Sequence, residues 1–199
     1  MSGRIKLCGI RTVPDALLCA EEGADELGVI FAEKSKRKVT AEMAREIRNA
    51  VPRTIPIVGV FLDAKLDDVL RAVREADLQA VQLHGGWTTH EALPFYAALQ
   101  VTGDGSLEPR PGAARILLDG PAGGSGKSFA WSLATEARKR FPNVPLYVAG
   151  GLHAGNVAEA IREAQPDGVD VASGIEDERG FKSKERVRAF VRAAREAFR

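Results

Sequence analysis

Short apolar runs recur along the whole of this chain, each followed by a longer amphipathic or polar stretch, and that alternation leaves few architectures open. The runs cover residues 5–9, 26–31, 56–62, 79–83, 115–119, 145–149 and 168–172, and they are aliphatic and β-branched rather than alternately apolar and polar. Strands of that composition are buried on both faces, with helices on one side and a second apolar layer on the other. The stretches between them predict helices over 14–22, 40–51, 66–75, 89–99, 129–141, 155–164 and 184–198. Val13, Ala16, Leu17 and Ala20 share one face of the first helix, and Thr40 stands where its hydroxyl can cap the second. The rhythm breaks once. Residues 99–102 leave room for a short fifth strand, and 103–113 are rich in Gly and Pro, a loop where a fifth helix would stand. With no linker or shift of composition, the pattern predicts an α/β fold, a single-domain (β/α)8 barrel over residues 1–199, in preference to an open doubly wound sheet.

The formal net charge is +1, so no global field draws the chain to nucleic acid or to an anionic membrane, and an anionic ligand has to be held by a local device. Cys8 and Cys19 do not make a disulfide framework. The first residues carry no apolar stretch of signal-peptide length, and no run approaches the ~18 apolar residues of a membrane span. A cytoplasmic location is the expectation.

In such a barrel, active sites form where the strands end at their C-termini. The residues just past each run are Cys8, Phe31, Leu62, His84, Thr102, Asp119, Gly150 and Ser173. Cys8, His84 and Asp119 can exchange protons near neutrality once tuned. Cys8 is either an inert small hydrophobe or, beside an electropositive site, a thiolate. Asp119 closes an apolar strand as a helix cap, a turn former or a catalytic group; no helix begins directly after it, and desolvation there would raise its pKa toward that of a general acid. Ala149-Gly150-Gly151-Leu152 and Ala172-Ser173-Gly174-Ile175 follow the seventh and eighth runs, the two loops that most often hold phosphate in these barrels. Glycine matters there because a Cβ would keep backbone amides away from the phosphate oxygens. Arg37, in a basic loop after the second run, can grip a planar carboxylate with two parallel hydrogen bonds. His84 is a ligand or a satisfied structural histidine. The segment from Gly120 to Ser128 looks like a Walker A loop, but Pro121 stands where the first glycine is required. It is a near miss, and a flexible lid over the barrel mouth explains its glycines equally well. The cysteine and histidine spacings give no metal site, and no nucleophile elbow is present.

The same residues resemble a known family. Lys6-Leu7-Cys8-Gly9-Ile10, Gly28-Val29-Ile30-Phe31 with Ser35-Lys36-Arg37, Gly59-Val60-Phe61, Val81-Gln82-Leu83-His84-Gly85, Leu118-Asp119, Gly124-Ser125-Gly126-Lys127, Ala149-Gly150-Gly151-Leu152 and Ser173-Gly174-Ile175-Glu176 are similar, in order, to the motifs of phosphoribosylanthranilate isomerases. The resemblance implies a cofactor-free Amadori rearrangement of a small phosphorylated sugar-anthranilate in tryptophan biosynthesis, by a monomer or homodimer without nucleic-acid or membrane partners. It implies Asp119 as general acid, Cys8 as general base and Arg37 on the anthranilate carboxylate. It further implies Gly150, Gly151, Ser173 and Gly174 on the phosphate, with Gln82 and His84 lining the pocket. Trp87, Ala130, Ala172 and Ser183 depart from the family's usual residues, and none of them is a proposed proton donor, proton acceptor or clamp. Cys8 counts against indole-3-glycerol-phosphate synthase and the histidine-pathway sugar isomerases. From another class, a non-catalytic phosphosugar- or nucleotide-binding protein using the Gly-Ser-Gly-Lys-Ser loop is the alternative.

Overall fold

Each apolar run becomes a parallel strand in a computed structural model, which describes residues 3–85, 94–100, 112–120 and 129–199. The strands are β1 (Arg4–Leu7), β2 (Glu26–Ile30), β3 (Ile57–Leu62), β4 (Ala80–His84), β5 (Phe95–Gln100), β6 (Arg115–Asp119), β7 (Leu146–Ala149) and β8 (Gly168–Val171). They pair in chain order, and β8 pairs back to β1 to close the barrel. The helices are α1 (Val13–Glu21), α2 (Ala41–Ala50), α3 (Leu66–Ala76), α4 (Phe129–Arg140), α5 (Val157–Ala164) and α6 (Lys184–Ala197). None of the helices of the described residues is long and apolar enough to cross a membrane.

Local chemistry sets the helix starts. Thr12, Thr40 and Ser183 each accept from a backbone N–H in the first turn of α1, α2 and α6, a cap worth about 1 kcal/mol. The expected capping role of Thr40 is therefore present.

One predicted helix is corrected. Residues 89–99 were expected to be helical, but 95–99 belong to β5, which pairs with both β4 and β6. Pro94 has no N–H to give a helix interior, and Phe95 to Leu99 form an unbroken apolar run buried on both faces. The fifth strand thus starts earlier than the expected 99–102. No helix among the described residues follows β4 or β5.

Strand parity sorts the side chains into two environments. Ile5, Leu7, Leu27, Val29, Ile57, Leu118, Val148 and Val169 point outward and pack under the helices with Ala16, Ala44, Ile47, Val157 and Phe190. Each large aliphatic side chain so buried contributes about 1.5–3 kcal/mol. The intervening residues face the barrel interior, where Val58 packs with Ala80 and Tyr96, and Ala98 with Leu117, Tyr147 and Ala149. Near the N-terminal end of the barrel, Glu26 is fully buried. It accepts hydrogen bonds from Arg4 Nε (2.9 Å), from the Tyr147 hydroxyl (2.9 Å) and from the Arg115 guanidinium. Arg115 also lies over the rings of Tyr96 and Tyr147.

Candidate active site

At the opposite end of the barrel a cavity of about 460 Å³ opens among the strand C-termini. Eight of the nine expected site residues line it: Cys8, Arg37, Gln82, His84, Asp119, Gly150, Gly151 and Ser173. A larger depression of about 730 Å³, between the loops after β2 and β3, contains none of them.

Cys8 is the first residue past β1. Its N–H donates to Val171 O (2.8 Å) and its carbonyl accepts from Lys182 Nζ (2.7 Å). Gly28 makes room for the sulfur, since a Cβ at that position would stand 2.6 Å from Sγ. The side chain is only 5% exposed, yet it borders the cavity. Burial pushes the thiol above its ordinary pKa, while the Lys6 and Lys182 ammonium groups pull it partly back. The expectation of a thiolate beside positive charge is thus half realised: the cations are there, but desolvation outweighs them.

Asp119 ends β6 and is pushed up to about 6, chiefly by burial and next by the nearby Asp170 carboxylate, against an opposing pull from Lys6. The desolvated carboxyl expected at this strand end is present. Between these two groups lies a pair that sequence reasoning passed over. Lys6 Nζ donates to Asp170 Oδ1 at 3.0 Å, both residues are buried, and Asp170 lines the cavity. The signal was there: each is a lone charge flanked by aliphatics, in Ile5-Lys6-Leu7 and in Val169-Asp170-Val171. A strand buried on both faces has no solvent side for such a residue, so it must face the barrel interior.

Gln82 Nε2 lies 2.9 Å from His84 Nε2. With the amide donating, the imidazole carries its proton on Nδ1. Burial, with Lys6 adding to it, pushes His84 down to about 4, so the ring is neutral over the physiological range.

Arg37 reaches the mouth from the loop after β2, passing over Gly9. Gly9 has φ +74°, and a Cβ there would stand 2.6 Å from Arg37 Cδ. The guanidinium does not have its whole fork free, as the sequence suggested. Its Nε and one Nη donate to the two oxygens of Glu176 at 2.6 and 2.7 Å. A planar guanidinium held along that edge keeps its Nη1–Nη2 end for a second carboxylate.

Gly150 and Gly151 have φ of +86° and +63°, in the region that L side chains rarely adopt. A Cβ on Gly150 would also stand 2.6 Å from the backbone N of Gly120, whereas the space beside Gly151 is open. Ser173 begins a single 3₁₀ turn (Ser173–Ile175) directly after β8. Gly174 is the exception among the expected residues. It does not line the cavity; a Cβ there would stand 1.9 Å from Leu152 O, so this glycine lets the turn after β8 pack on the turn after β7. Thr102, Trp87 and the glycine-rich segment 121–128 lie outside the described residues.

Fold and site together define a (β/α)8 barrel whose mouth gathers a thiol, a carboxyl of raised pKa and two adjacent left-handed glycines around one cavity. The family model for N-(5'-phosphoribosyl)anthranilate (PRA) isomerase matches residues 5–193, and the chain belongs to this family. It is 42% identical over 208 aligned positions to the N-(5'-phosphoribosyl)anthranilate isomerase of Myxococcus xanthus, covering 98% of this chain and 97% of that protein. The crystal structure of phosphoribosyl anthranilate isomerase from Thermotoga maritima superposes with a TM-score of 0.84 at 35% identity, covering 96% and 98% of the two chains. A phosphoribosyl anthranilate isomerase in complex with reduced 1-(o-carboxyphenylamino)-1-deoxyribulose 5-phosphate superposes with a TM-score of 0.82 at 33% identity, again over 96% and 98%.

Proposed function

We propose that this chain, as one catalytic domain over residues 1–199, isomerises N-(5'-phosphoribosyl)anthranilate to 1-(2-carboxyphenylamino)-1-deoxyribulose 5-phosphate in tryptophan biosynthesis. The observation that carries the reading is the convergence of Cys8, at the end of β1, and Asp119, at the end of β6, on one cavity edged by the two small-residue turns. Family membership supplies the substrate.

Asp119, protonated, gives its proton to the furanose ring oxygen as the C1–O bond breaks, and the nitrogen lone pair forms the C1=N bond of a Schiff base. The Cys8 thiolate then takes the C2 proton. The C2–H electrons become the C1=C2 bond of an enolamine, and the C=N electrons return to nitrogen. Proton transfer from the C2 hydroxyl to C1 gives the ketone. Oxidation at C2 and reduction at C1 balance within the one molecule, so the chemistry calls for no external oxidant or reductant. Each proton transfer of this kind is typically worth 10²–10⁴-fold.

The two groups titrate in an inverted order. Asp119 at about 6 lies below the raised thiol, so the pair that reacts, carboxylic acid with thiolate, is a minority form of the free enzyme. Its fraction is nevertheless constant between the two pKa values, because each proton gained by the acid is matched by one lost from the base. Substrate binding brings the remaining rate through positioning.

Gly150, Gly151 and Ser173 present backbone to the phosphate, a remote handle whose binding energy places C1 and C2. Gly174 supports that grip from behind. The exposed end of Arg37 takes the anthranilate carboxylate, and neutral His84 with Gln82 lines the wall between them. The test is the loss of anthranilate-type fluorescence when purified protein is added to freshly made phosphoribosylanthranilate. Wild type is expected to quench it within seconds to minutes, and a wild-type protein that leaves the fluorescence intact refutes the reading.

A further inference from the structure

The mouth of the barrel contains a second ionic cluster that takes no part in the proton transfers. Glu176, just after the 3₁₀ turn, is buried, and both its oxygens are engaged. Oε1 accepts from Arg37 Nε (2.6 Å) and from Lys182 Nζ (3.0 Å), and Oε2 accepts from Arg37 Nη2 (2.7 Å). Lys182 is buried as well, and its ammonium also donates to the carbonyls of Cys8 (2.7 Å) and Ala172 (3.0 Å). The segment carrying both residues is closed on itself by Ser183 N donating to Ile175 O, and is tied to α1 by Lys182 N donating to Asp15 Oδ1.

Two physical consequences follow. An arginine on a surface loop ordinarily spends rotamer entropy when it captures a ligand, and a side chain already fixed by two charge-assisted bonds has spent it during folding. An arginine paired with a glutamate is neutral as a unit and exerts little pull on an anion. Here Lys182 restores the balance, because Arg37, Glu176 and Lys182 together carry a net charge of one positive unit. The same ammonium is bonded to the backbone carbonyl of Cys8, so the clamp and the backbone that carries the thiol are joined through one buried atom.

We propose that Glu176 and Lys182 are positioning residues. Glu176 aims the free end of Arg37 at the substrate carboxylate, and Lys182 both returns the positive charge that Glu176 cancels and ties this clamp to the strand end carrying Cys8. The inference rests on Arg37 as the carboxylate clamp of the proposed reaction. It makes a counter-intuitive claim, since removing a negative charge from the mouth should weaken, not strengthen, the capture of an anion.

A double-variant cycle with Glu176→Gln and Arg37→Ala, read as KM for phosphoribosylanthranilate, tests it. Glu176→Gln alone is expected to raise KM about tenfold, with kcat changed far less. In the Arg37→Ala background the same substitution is expected to add less than about twofold. Inhibition by ribose 5-phosphate, which has the phosphate and no carboxylate, is expected to stay constant across all four proteins, whereas general damage to the site would weaken it. A KM lowered by Glu176→Gln, or an effect carried over in full to the Arg37→Ala background, overturns the positioning role and leaves the clamp intact. An unchanged KM in Arg37→Ala itself overturns the clamp, and the positioning role with it.

Arg37→Lys keeps the test sharp should Glu176→Gln not fold, because residue 37 is partly exposed and a lysine keeps the charge without the two-bond edge. A KM raised about tenfold by that change is the expected result, and wild-type KM would show that charge alone suffices.

Discussion

Glu26 near the N-terminal end of the barrel and Asp119 at the C-terminal end are desolvated carboxyls put to opposite uses. At the N-terminal end, Glu26 is matched by Arg4, Arg115 and the Tyr147 hydroxyl, all bonded to it. Burial and the glutamate charge push Tyr96 up to about 12 and Tyr147 higher still, so both phenols stay neutral. At the C-terminal end, burial raises both Asp119 and Cys8: Asp119 has no cation hydrogen-bonded to it among the described residues and is pushed up to about 6, whereas Cys8 keeps Lys6 as a partner and is raised all the same. What differs between Glu26 and Asp119 is whether a cation is hydrogen-bonded to the carboxyl. Around Glu26 the result is a fixed structural network, and at Asp119, where no such partner is bonded, the carboxyl is poised near neutrality.

The contrast breaks if either end behaves like the other. The largest effect expected is at the mouth: Cys8→Ser and Asp119→Asn should each lower kcat by 10²–10⁴-fold or more with an unchanged far-UV circular dichroism spectrum. Near-normal turnover in either variant removes that residue from the chemistry. Glu26→Gln should do the reverse, costing about 3–5 kcal/mol in urea unfolding because Arg4 and Arg115 lose their counter-charge. Its kcat/KM, measured on folded protein, should stay within about twofold of wild type. A large loss of turnover without loss of stability would mean that the N-terminal network reaches the chemistry.

Asp170→Asn sharpens the comparison. It removes the like charge that helps hold Asp119 up and leaves Lys6 pulling it down, so the acid limb of the kcat/KM profile should move below its wild-type position of about 6. The alkaline limb should move down as well, because Asp170 also raises Cys8, so the plateau reports only the difference between the two shifts. A limb that stays in place contradicts the assignment. The smallest effect concerns stability. The folded pKa of Asp119 lies above the ordinary carboxylate value, so its ionised form opposes folding at pH 8 and ceases to do so as pH falls below about 4. Asp119→Asn should therefore stabilise the protein at pH 8 by about 1–2 kcal/mol, with the gain vanishing in acid. Destabilisation at pH 8 would show that the carboxylate is solvated or paired.

Most of the barrel is written in the chain because strands buried on both faces cannot avoid long aliphatic runs. The strand-end rule then placed Cys8, His84 and Asp119 at one mouth before any coordinates. It failed at residues 95–99, where Ala97, Ala98 and Leu99 have helical propensity and pairing with two neighbours overrides it. Gly174 has a packing reason that the sequence did not show, since a Cβ there would meet Leu152 O. Asp170 was legible as a charge between valines. Lys182 was not, because within the charged stretch after Glu176 nothing distinguishes a buried lysine from its solvated neighbours. Only the folding of that segment back onto Cys8 and Ala172 does so.

The withheld counter-ion at Asp119 can be tested without turnover at all. Carboxyl ¹³C chemical shifts followed against pH in aspartate-labelled protein, with Asp119→Asn identifying the resonance, give the pKa directly. A value of about 6 is predicted; a titration near or below the ordinary aspartate value of ~3.9 would contradict the account of the mouth as a desolvated proton donor.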